Sequence, residues 1–391
     1  MTLETSNLTK NVYIHIPFCK SKCHYCSFVS FNQLELKADY LDALKKQIQV
    51  EYKGESLNTL YFGGGTPSLL TIKEFEILIN LFNFENNAEI TVEINPDSVD
   101  LEYLQGLKSL GINRLSIGIQ TFDDEILKLI GREHDSSQAL LAMSHARKAK
   151  FNNISMDFIY GLPTQTLQNF ESDLKKAVSL GVENISLYGL KIEDDCYFDK
   201  KMPKNILDLD MQADMYLKAV ELLKTEGFEH YEISNFSRPG YNSKHNLNYW
   251  NNNTYYGFGC SASGYIKSVG LANPTYERKC RSGLLSRQQK IVRYTNEIDL
   301  EKYIQNPLKK ISKQKLSQQE ILEEEIFLGL RKIKGINVEE INQKFEIDFN
   351  KRYVKILNKY SDFFVKTQKG WALTLEGILI SNEILSEFIV S

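Results

Sequence analysis

Six short runs of β-branched and aromatic residues punctuate the first half of the chain, at 11–16, 59–62, 89–94, 114–119, 154–160 and 184–190. Between them the apolar positions recur at the three-to-four-residue spacing of an amphipathic helix, over 37–52, 72–82, 101–110, 136–150 and 167–180. A further such stretch, 210–226, follows the last run. Strands alternating with helices predict parallel βαβ units. Six of them predict an α/β fold on an open, partial (β/α)6 barrel; periodicity alone leaves a doubly wound sheet open. In a barrel the chemistry gathers at the C-terminal ends of the strands. Every candidate functional feature described below lies in or just after a predicted strand.

From about Tyr231 to Pro307 the pattern gives way to aromatic, Asn- and Gly-rich loops with short strands. The stretch 306–315, NPLKKISKQK, has no acidic residue and reads as a solvated linker. Helical spacing returns at 317–332, 338–345 and 351–360. A hairpin over 363–366 and 371–373 and a last helix at 375–388 complete a winged-helix outline. Its glutamate-rich stretch 320–325 argues against DNA contact. The expected division is a core over 1–230, a loop-rich extension over 231–310 and a winged-helix-like C-terminal domain over 311–391.

Composition narrows the class rather than the function. With 42% hydrophobic and 25% charged residues among 391, the chain reads as an ordinary globular protein. A net charge of −3 offers no basic surplus for nucleic acid. No apolar run approaches membrane-spanning length, and MTLETSNLTK lacks the hydrophobic stretch of an export signal. Cysteines occur as one tight trio plus isolated single residues, which suits a reducing compartment and predicts a cytoplasmic protein.

That trio carries the first chemistry. Cys19, Cys23 and Cys26 follow the first predicted strand with the spacing C-x3-C-x2-C. Three thiolates in one loop can converge on one inorganic centre. A [4Fe–4S] cluster normally takes four cysteines, so three leave one iron open to a small chelating molecule. A structural zinc loop, completed by His24 or a distant cysteine, is the alternative. Zinc sites usually come as paired cysteine units, and Cys196, Cys260 and Cys280 form no second pair. The second predicted strand ends in YFGGGTPS, where glycines let backbone approach a ligand closely and expose N–H and C=O groups to an amino acid's two ends. Glu93, Gln120 and Asp157 are polar residues in apolar strands, and each needs a partner if buried. They read either as a structural network or as ligands for ribose hydroxyls and a methionyl group. Arg132, in LIGREHD, can pair with a carboxylate. His245, in HNLNYW, offers an imidazole beside flat aromatic surface, as a porphyrin would need, although a loop histidine is more often only hydrogen-bonded. His15 and His24 read as structural.

Taken together, YIHIPFCKSKCHYC, YFGGGTPS, LSIGIQTF, IYGLP and the C-terminal segment resemble the radical SAM superfamily, and within it the coproporphyrinogen III oxidase-like branch. The resemblance implies Cys19, Cys23 and Cys26 as ligands of a [4Fe–4S] cluster that binds S-adenosylmethionine (SAM), with Tyr13, Gly64 and Glu93 at the SAM site. In the oxidases, positions matching Tyr25, Gly65, Thr66, Gln120, Arg132 and Asp157 surround a second SAM. This chain departs from them at Phe28, where their motif has a fourth cysteine, and only eighteen residues precede Cys19. YEISNF and HNLNYW instead match the haem chaperone members of the branch, whose histidine is implicated in haem binding; this makes His245 the expected haem ligand. The favoured expectation is a chaperone that binds haem and a SAM-liganded cluster and delivers haem to respiratory or other haem proteins, without coproporphyrinogen oxidase activity. Expected partners are haem and its acceptors, with membrane respiratory enzymes and a homodimer as further options. The alternative is the oxidase, and a zinc-stabilised winged-helix regulator is the third reading.

Overall fold

The computed structural model describes residues 9–268 and 290–389. Cys280 and residues 1–8, which entered the readings above, lie outside the described residues. Helices and strands alternate through the first half: β1 (Asn11–Ile16), α1 (Lys37–Glu51), β2 (Ser56–Gly64), α2 (Ile72–Ile79), β3 (Asn83–Ile94) and α3 (Leu101–Ser109). They continue with β4 (Arg114–Gln120), α4 (Asp124–Leu129), α5 (Ser136–Lys148), β5 (Ile154–Tyr160), α6 (Leu167–Ser179) and β6 (Asn184–Gly189). The helices start where the sequence supplies a cap: Thr71, Asp100, Asp123, Asp135 and Thr166 each accept a backbone N–H of the first turn.

β1 to β6 are neighbours in chain order and run parallel. An order that never reverses excludes the doubly wound sheet. Next come α7 (Tyr197–Lys200), α8 (Leu209–Thr225), β7 (Glu229–Glu232), β8 (Asn235–Ser237), α9 (Lys244–Trp250) and β9 (Tyr256–Phe258). β9 pairs in parallel with β1, and β8 and then β7 extend the other edge antiparallel, making nine strands. The period-two alternation has one consistent sense. Val12, Ile14, Leu60, Phe62, Ile90, Val92, Leu115, Ile117, Met156 and Leu187 belong to the main apolar core, whereas the alternate positions Thr59, Glu89, Thr91, Arg114, Ser116, Ser155 and Ser186 are buried and polar.

A three-stranded antiparallel sheet follows, β10 (Ser263–Ser268), β11 (Lys290–Asn296) and β12 (Lys310–Lys315), with α10 (Leu300–Gln305) between the last two. β12 replaces the solvated linker expected there. Its lysines sit on a sheet edge, where charge discourages further pairing, and Lys310 pairs with Glu51 of α1 at 2.6 Å. The C-terminal part comprises α11 (Gln318–Gly329), β13 (Ile336–Asn337), α12 (Val338–Phe345), α13 (Phe349–Arg352), α14 (Val354–Lys359), β14 (Phe364–Lys366), β15 (Gly370–Leu373), α15 (Leu375–Leu379) and α16 (Ser381–Ser386). It has its own apolar cluster, built on Ile326, Phe349, Ile384, Leu385 and Phe388. Among the described residues no helix is long and apolar enough to cross a membrane.

α9 is the HNLNYW segment, a short helix rather than a loop. Glu89 of β3 holds its start, accepting from Ser243 Oγ at 3.5 Å and from the backbone N–H of Lys244 at 3.1 Å and of His245 at 3.0 Å. Asn248 is tied to Asn11 of β1 at 2.7 Å. The helix therefore closes the N-terminal end of the barrel. Glu89→Ala leaves those donors unpaired in a buried place, and should destabilise the protein by about 3 kcal/mol in urea unfolding. An unchanged midpoint and slope would show that α9 is held without Glu89, by Asn11, Thr59 and its apolar contacts.

Candidate functional site

The cysteine loop leaves β1 at Pro17 and is zipped at its base. Phe31 N–H donates to Pro17 O at 2.7 Å and Cys19 N–H to Phe31 O at 3.0 Å. His15 Nε2 lies 2.9 Å from Val29 O, fastening the end of the loop to the strand. On the far side His24 N–H donates to Ile130 O, His24 Nδ1 reaches Leu129 O, and its ring stacks on Tyr197 at 4.3 Å. His24 is thus committed to α4 and α7. Cys19, Cys23 and Cys26 are free and half-buried on one wall of a cavity of about 510 Å³. Burial, and then the neighbouring Cys23 and Cys19 thiols, push Cys26 above the ordinary thiol range.

Among the described residues no three His, Cys, Asp or Glu side chains converge on a point for a single metal ion. A cubane does not ask for that, because each thiolate binds a different iron. Three thiols lining one cavity, with no convergent set for one ion among the described residues, fit the cluster and fit poorly a zinc ion, which needs four ligands around one centre.

Gly64 and Gly65 show why the turn after β2 is glycine. Gly64 has φ +118°, and a Cβ there would sit 2.6 Å from the His15 ring. At Gly65 a Cβ would meet Phe18 O at 2.6 Å and Cys19 Sγ at 3.0 Å. One expectation needs correcting. The N–H groups of this turn are not offered to a ligand: Gly64 donates to Glu93 Oε2 at 3.1 Å, Gly65 to Ile16 O at 2.9 Å and Thr66 to Phe18 O at 2.8 Å. Those bonds bind the turn to β1 and β3, so of the turn's backbone groups only carbonyls are left for a ligand.

The cavity is lined by Tyr25, Gly64, Gly65, Thr66 and Glu93, and by Gln120, Arg132 and Asp157, together with the three cysteines. Glu93 accepts from Tyr61 Oη at 2.7 Å as well as from Gly64. Burial pushes its pKa up to about 7 against the Tyr61 bond, and the Asp157 carboxylate adds to the rise. Asp157 accepts from Ser116 at 2.8 Å and Ser155 at 3.2 Å; burial raises it too, while these hydroxyls and Ser186 hold it down. Gln120 ends β4 at φ +64°, a conformation rare outside glycine, and its buried Oε1 has no partner. A strained residue with an orphaned acceptor in a cavity wall is suited to a ligand donor. Carboxylates, an unused amide oxygen and three thiols together can receive hydroxyl and ammonium groups beside an iron–sulfur cluster.

Two expected residues lie elsewhere. Tyr13 sits beneath the wall, its ring stacked on Tyr61 at 6.1 Å and its hydroxyl 3.0 Å from His15 Nδ1. His245 is buried at the closed end of the barrel, outside the cavity. Thr59 Oγ1 lies 2.8 Å from its Nδ1 and Tyr249 Oη 2.9 Å from its Nε2. In this conformation neither nitrogen is open to iron. Its ring stacks on Tyr61 at 4.9 Å, so the two ends of the barrel meet at that tyrosine. Burial, and then the Arg114 cation, lower its pKa to about 3, which keeps the imidazole neutral.

Sequence reasoning passed over Tyr61, Asn95 and Tyr188. Tyr61 and Tyr188 line the cavity, and Asn95 joins Thr66 Oγ1 at 3.2 Å to the Arg132 side chain at 3.0 Å. The signal was available as parity: Tyr61 alternates with Leu60 and Phe62, and Tyr188 with Leu187, so both must face inward.

Residues 13–177 match the radical SAM superfamily and residues 316–380 the HemN C-terminal domain. The chain is 34% identical to the haem chaperone HemW of Lactococcus lactis, over 97% of both chains. It is 34% identical to HemW of Bacillus subtilis over 97% of this chain and 99% of that one. HemW of Escherichia coli is 36% identical over 66% of this chain and 70% of its own. Among solved structures, the Escherichia coli coproporphyrinogen III oxidase HemN, a radical SAM enzyme, has a TM-score of 0.80 at 23% identity, covering 98% of this chain and 90% of that one. That likeness shows the fold.

An acid whose folded pKa exceeds its unfolded value holds its proton better in the folded state, so its contribution to stability falls as pH rises between the two values. For Glu93 that interval runs from the ordinary carboxylate value of 4.5 to about 7. Wild type should therefore lose stability relative to Glu93→Gln as pH climbs through it, read as the difference between their unfolding free energies. A difference flat across that interval would mean Glu93 is ionised in both states.

Proposed function

We propose, for a chain that belongs to the HemW haem chaperone family within the radical SAM superfamily, that it binds haem and passes it to haem-requiring acceptor proteins. The observation that carries this reading is full-length kinship: one-third identity with haem chaperones across both whole chains. Cys19, Cys23 and Cys26 are the proposed cluster ligands. Glu93, Gln120, Asp157 and Thr66, with Tyr25 and the Gly64–Gly65 turn, are the proposed SAM contacts, and Tyr13 supports them from beneath. The cluster, when bound, supplies the electron that reductive cleavage of SAM requires. The chain's own part is to fix the three thiols on one wall, close the turn against β1, and present carboxylates to the ligand's hydroxyl and ammonium groups.

For haem, we propose His245 as axial ligand in a state where α9 has released from the barrel floor. One feature supports it. Within α9, Asn248 Nδ2 and Trp250 Nε1 are buried without partners, so the helix is incompletely satisfied where it now sits. We place the chaperone in the cytoplasm, as a homodimer or monomer, with respiratory membrane enzymes among its acceptors and no nucleic-acid partner. The division at residues 230 and 310 is retained as the working description of its parts.

Haem titration of the anaerobically reconstituted protein, run beside a coproporphyrinogen turnover assay, tests the reading. Wild type should bind haem and consume no coproporphyrinogen with SAM; measured decarboxylation would overturn the chaperone assignment. His245→Ala should lose haem affinity or change the haem ligand-field spectrum while keeping its iron. Unaltered haem spectra in that variant would remove His245 as ligand. Cys23→Ala should lose the iron and reductive SAM cleavage, and a fully loaded, spectroscopically unchanged cluster there would sink Cys23.

A further inference from the structure

Arg132 follows α4 at the cavity wall, and its guanidinium is nearly used up. Nη1 reaches Cys23 Sγ at 3.6 Å, Nη2 donates to Gly118 O at 2.8 Å and to Asn95 Oδ1 at 3.0 Å, and Nε donates to His134 Nδ1 at 3.3 Å. These four bonds leave one of its five N–H groups. None of the four acceptors is a carboxylate, and among the described residues no Asp or Glu lies within ion-pair distance of it. His134 gives no negative charge either, since it accepts on Nδ1 and offers Nε2 to Ile119 O at 3.2 Å as a neutral ring. The nearest carboxylate charge it feels is that of Asp97, beyond ion-pair distance and itself 3.8 Å from Lys20. A largely desolvated cation with no carboxylate in contact is costly unless an anion joins it.

We propose that Arg132 is the counter-ion of the iron–sulfur cluster, holding its reduction potential up through the hydrogen bond to Cys23, rather than a clasp for the carboxylate of a second SAM. The proposal rests on the cluster reading of Cys19, Cys23 and Cys26. Three thiolates outweigh the charge of an oxidised cluster core, and the added electron deepens that negative charge. A cation in hydrogen-bond contact with a ligand sulfur therefore stabilises the reduced form more than the oxidised one. The geometry gives Arg132 this place before any SAM arrives. The bidentate fork that a carboxylate would need is already split between Gly118 O, Asn95 and Cys23. As a positioning residue, Arg132 acts through Cys23 and touches no substrate.

The test is a redox titration of the reconstituted cluster without SAM, followed by electron paramagnetic resonance, in wild type, Arg132→Gln and Arg132→Lys. With iron content matched, the glutamine variant should have a more negative midpoint than wild type, and the lysine variant should fall between them. A loaded glutamine variant with the wild-type midpoint overturns the proposal. So does a shift that appears only once SAM is added, which would hand Arg132 to the SAM carboxylate. If Arg132→Gln holds no cluster, Arg132→Lys decides: a negative shift supports the counter-ion and an unmoved midpoint rejects it. A wild type that assembles no reducible cluster fails at the underlying reading, and the counter-ion falls with it.

Discussion

The inside of this barrel is polar from one end to the other, and an enclosed polar surface has to be paired with something. Thr59, Glu89, Thr91, Arg114, Ser116, Ser155 and Ser186 are all buried. Each would cost on the order of 1–3 kcal/mol if left without a partner, and the charged ones more. The pairing is built in layers. At the N-terminal end Glu89 takes the first N–H groups of α9, and Asn11 takes Asn248. At the C-terminal end Asp157 gathers serine hydroxyls and Glu93 takes Tyr61 and Gly64. Thr91 Oγ1 and Arg114 Nε stay unpaired inside the barrel. The top layer is incomplete too, with Gln120 Oε1 orphaned and no carboxylate in contact with Arg132. An incomplete layer facing a cavity is where a cofactor belongs.

Tyr61 ties the two ends together. Its hydroxyl donates to Glu93 beside the cavity, and its ring lies against His245 in the floor. Far apart in sequence, the cysteine loop and HNLNYW read as separable sites. Through this side chain Glu93 at the cavity and His245 in the floor are one residue removed from each other. A change in the protonation or ligation of Glu93 alters what Tyr61 donates to, and a departure of His245 uncovers the face of the same ring. Any coupling between SAM and haem in this protein has a short physical route, which needs no movement of the strands.

How much of this the sequence revealed follows from where the causes lie. β1 and β5 begin and end as the β-branched runs do, because local propensity and core burial agree there. The cysteine loop was legible from spacing alone. α9 was not: seven residues with two asparagines and three aromatic rings carry no helical period, and the helix starts only because Glu89, 156 positions from His245, supplies its acceptor. Ser243 as a capping residue was the one local hint. β12 failed for a related reason, since a lysine-rich edge strand looks like a linker until its partner β11 is known. The free N–H groups expected of the glycine turn were lost to β1 and β3, contacts that no local reading of GGGTP contains.

A carrier has to let go, and the position of His245 bears on how. On the proposed ligation, haem meets a protein whose binding-competent state requires α9 to leave Glu89, Thr59 and Asn11, and His245 to give up its bond to Tyr249 within the helix. Those hydrogen bonds are worth about 1 kcal/mol each, and about 2 where the carboxylate is the acceptor. The opening free energy subtracts directly from haem affinity, because the apparent dissociation constant is the intrinsic one divided by the open fraction. Part of the penalty is offset by Asn248 Nδ2 and Trp250 Nε1, which lose nothing on leaving a place where they have no partner. An acceptor then needs only to take haem from a site whose closed form is already favoured. The same latch that hides the histidine in the haem-free protein would drive its release.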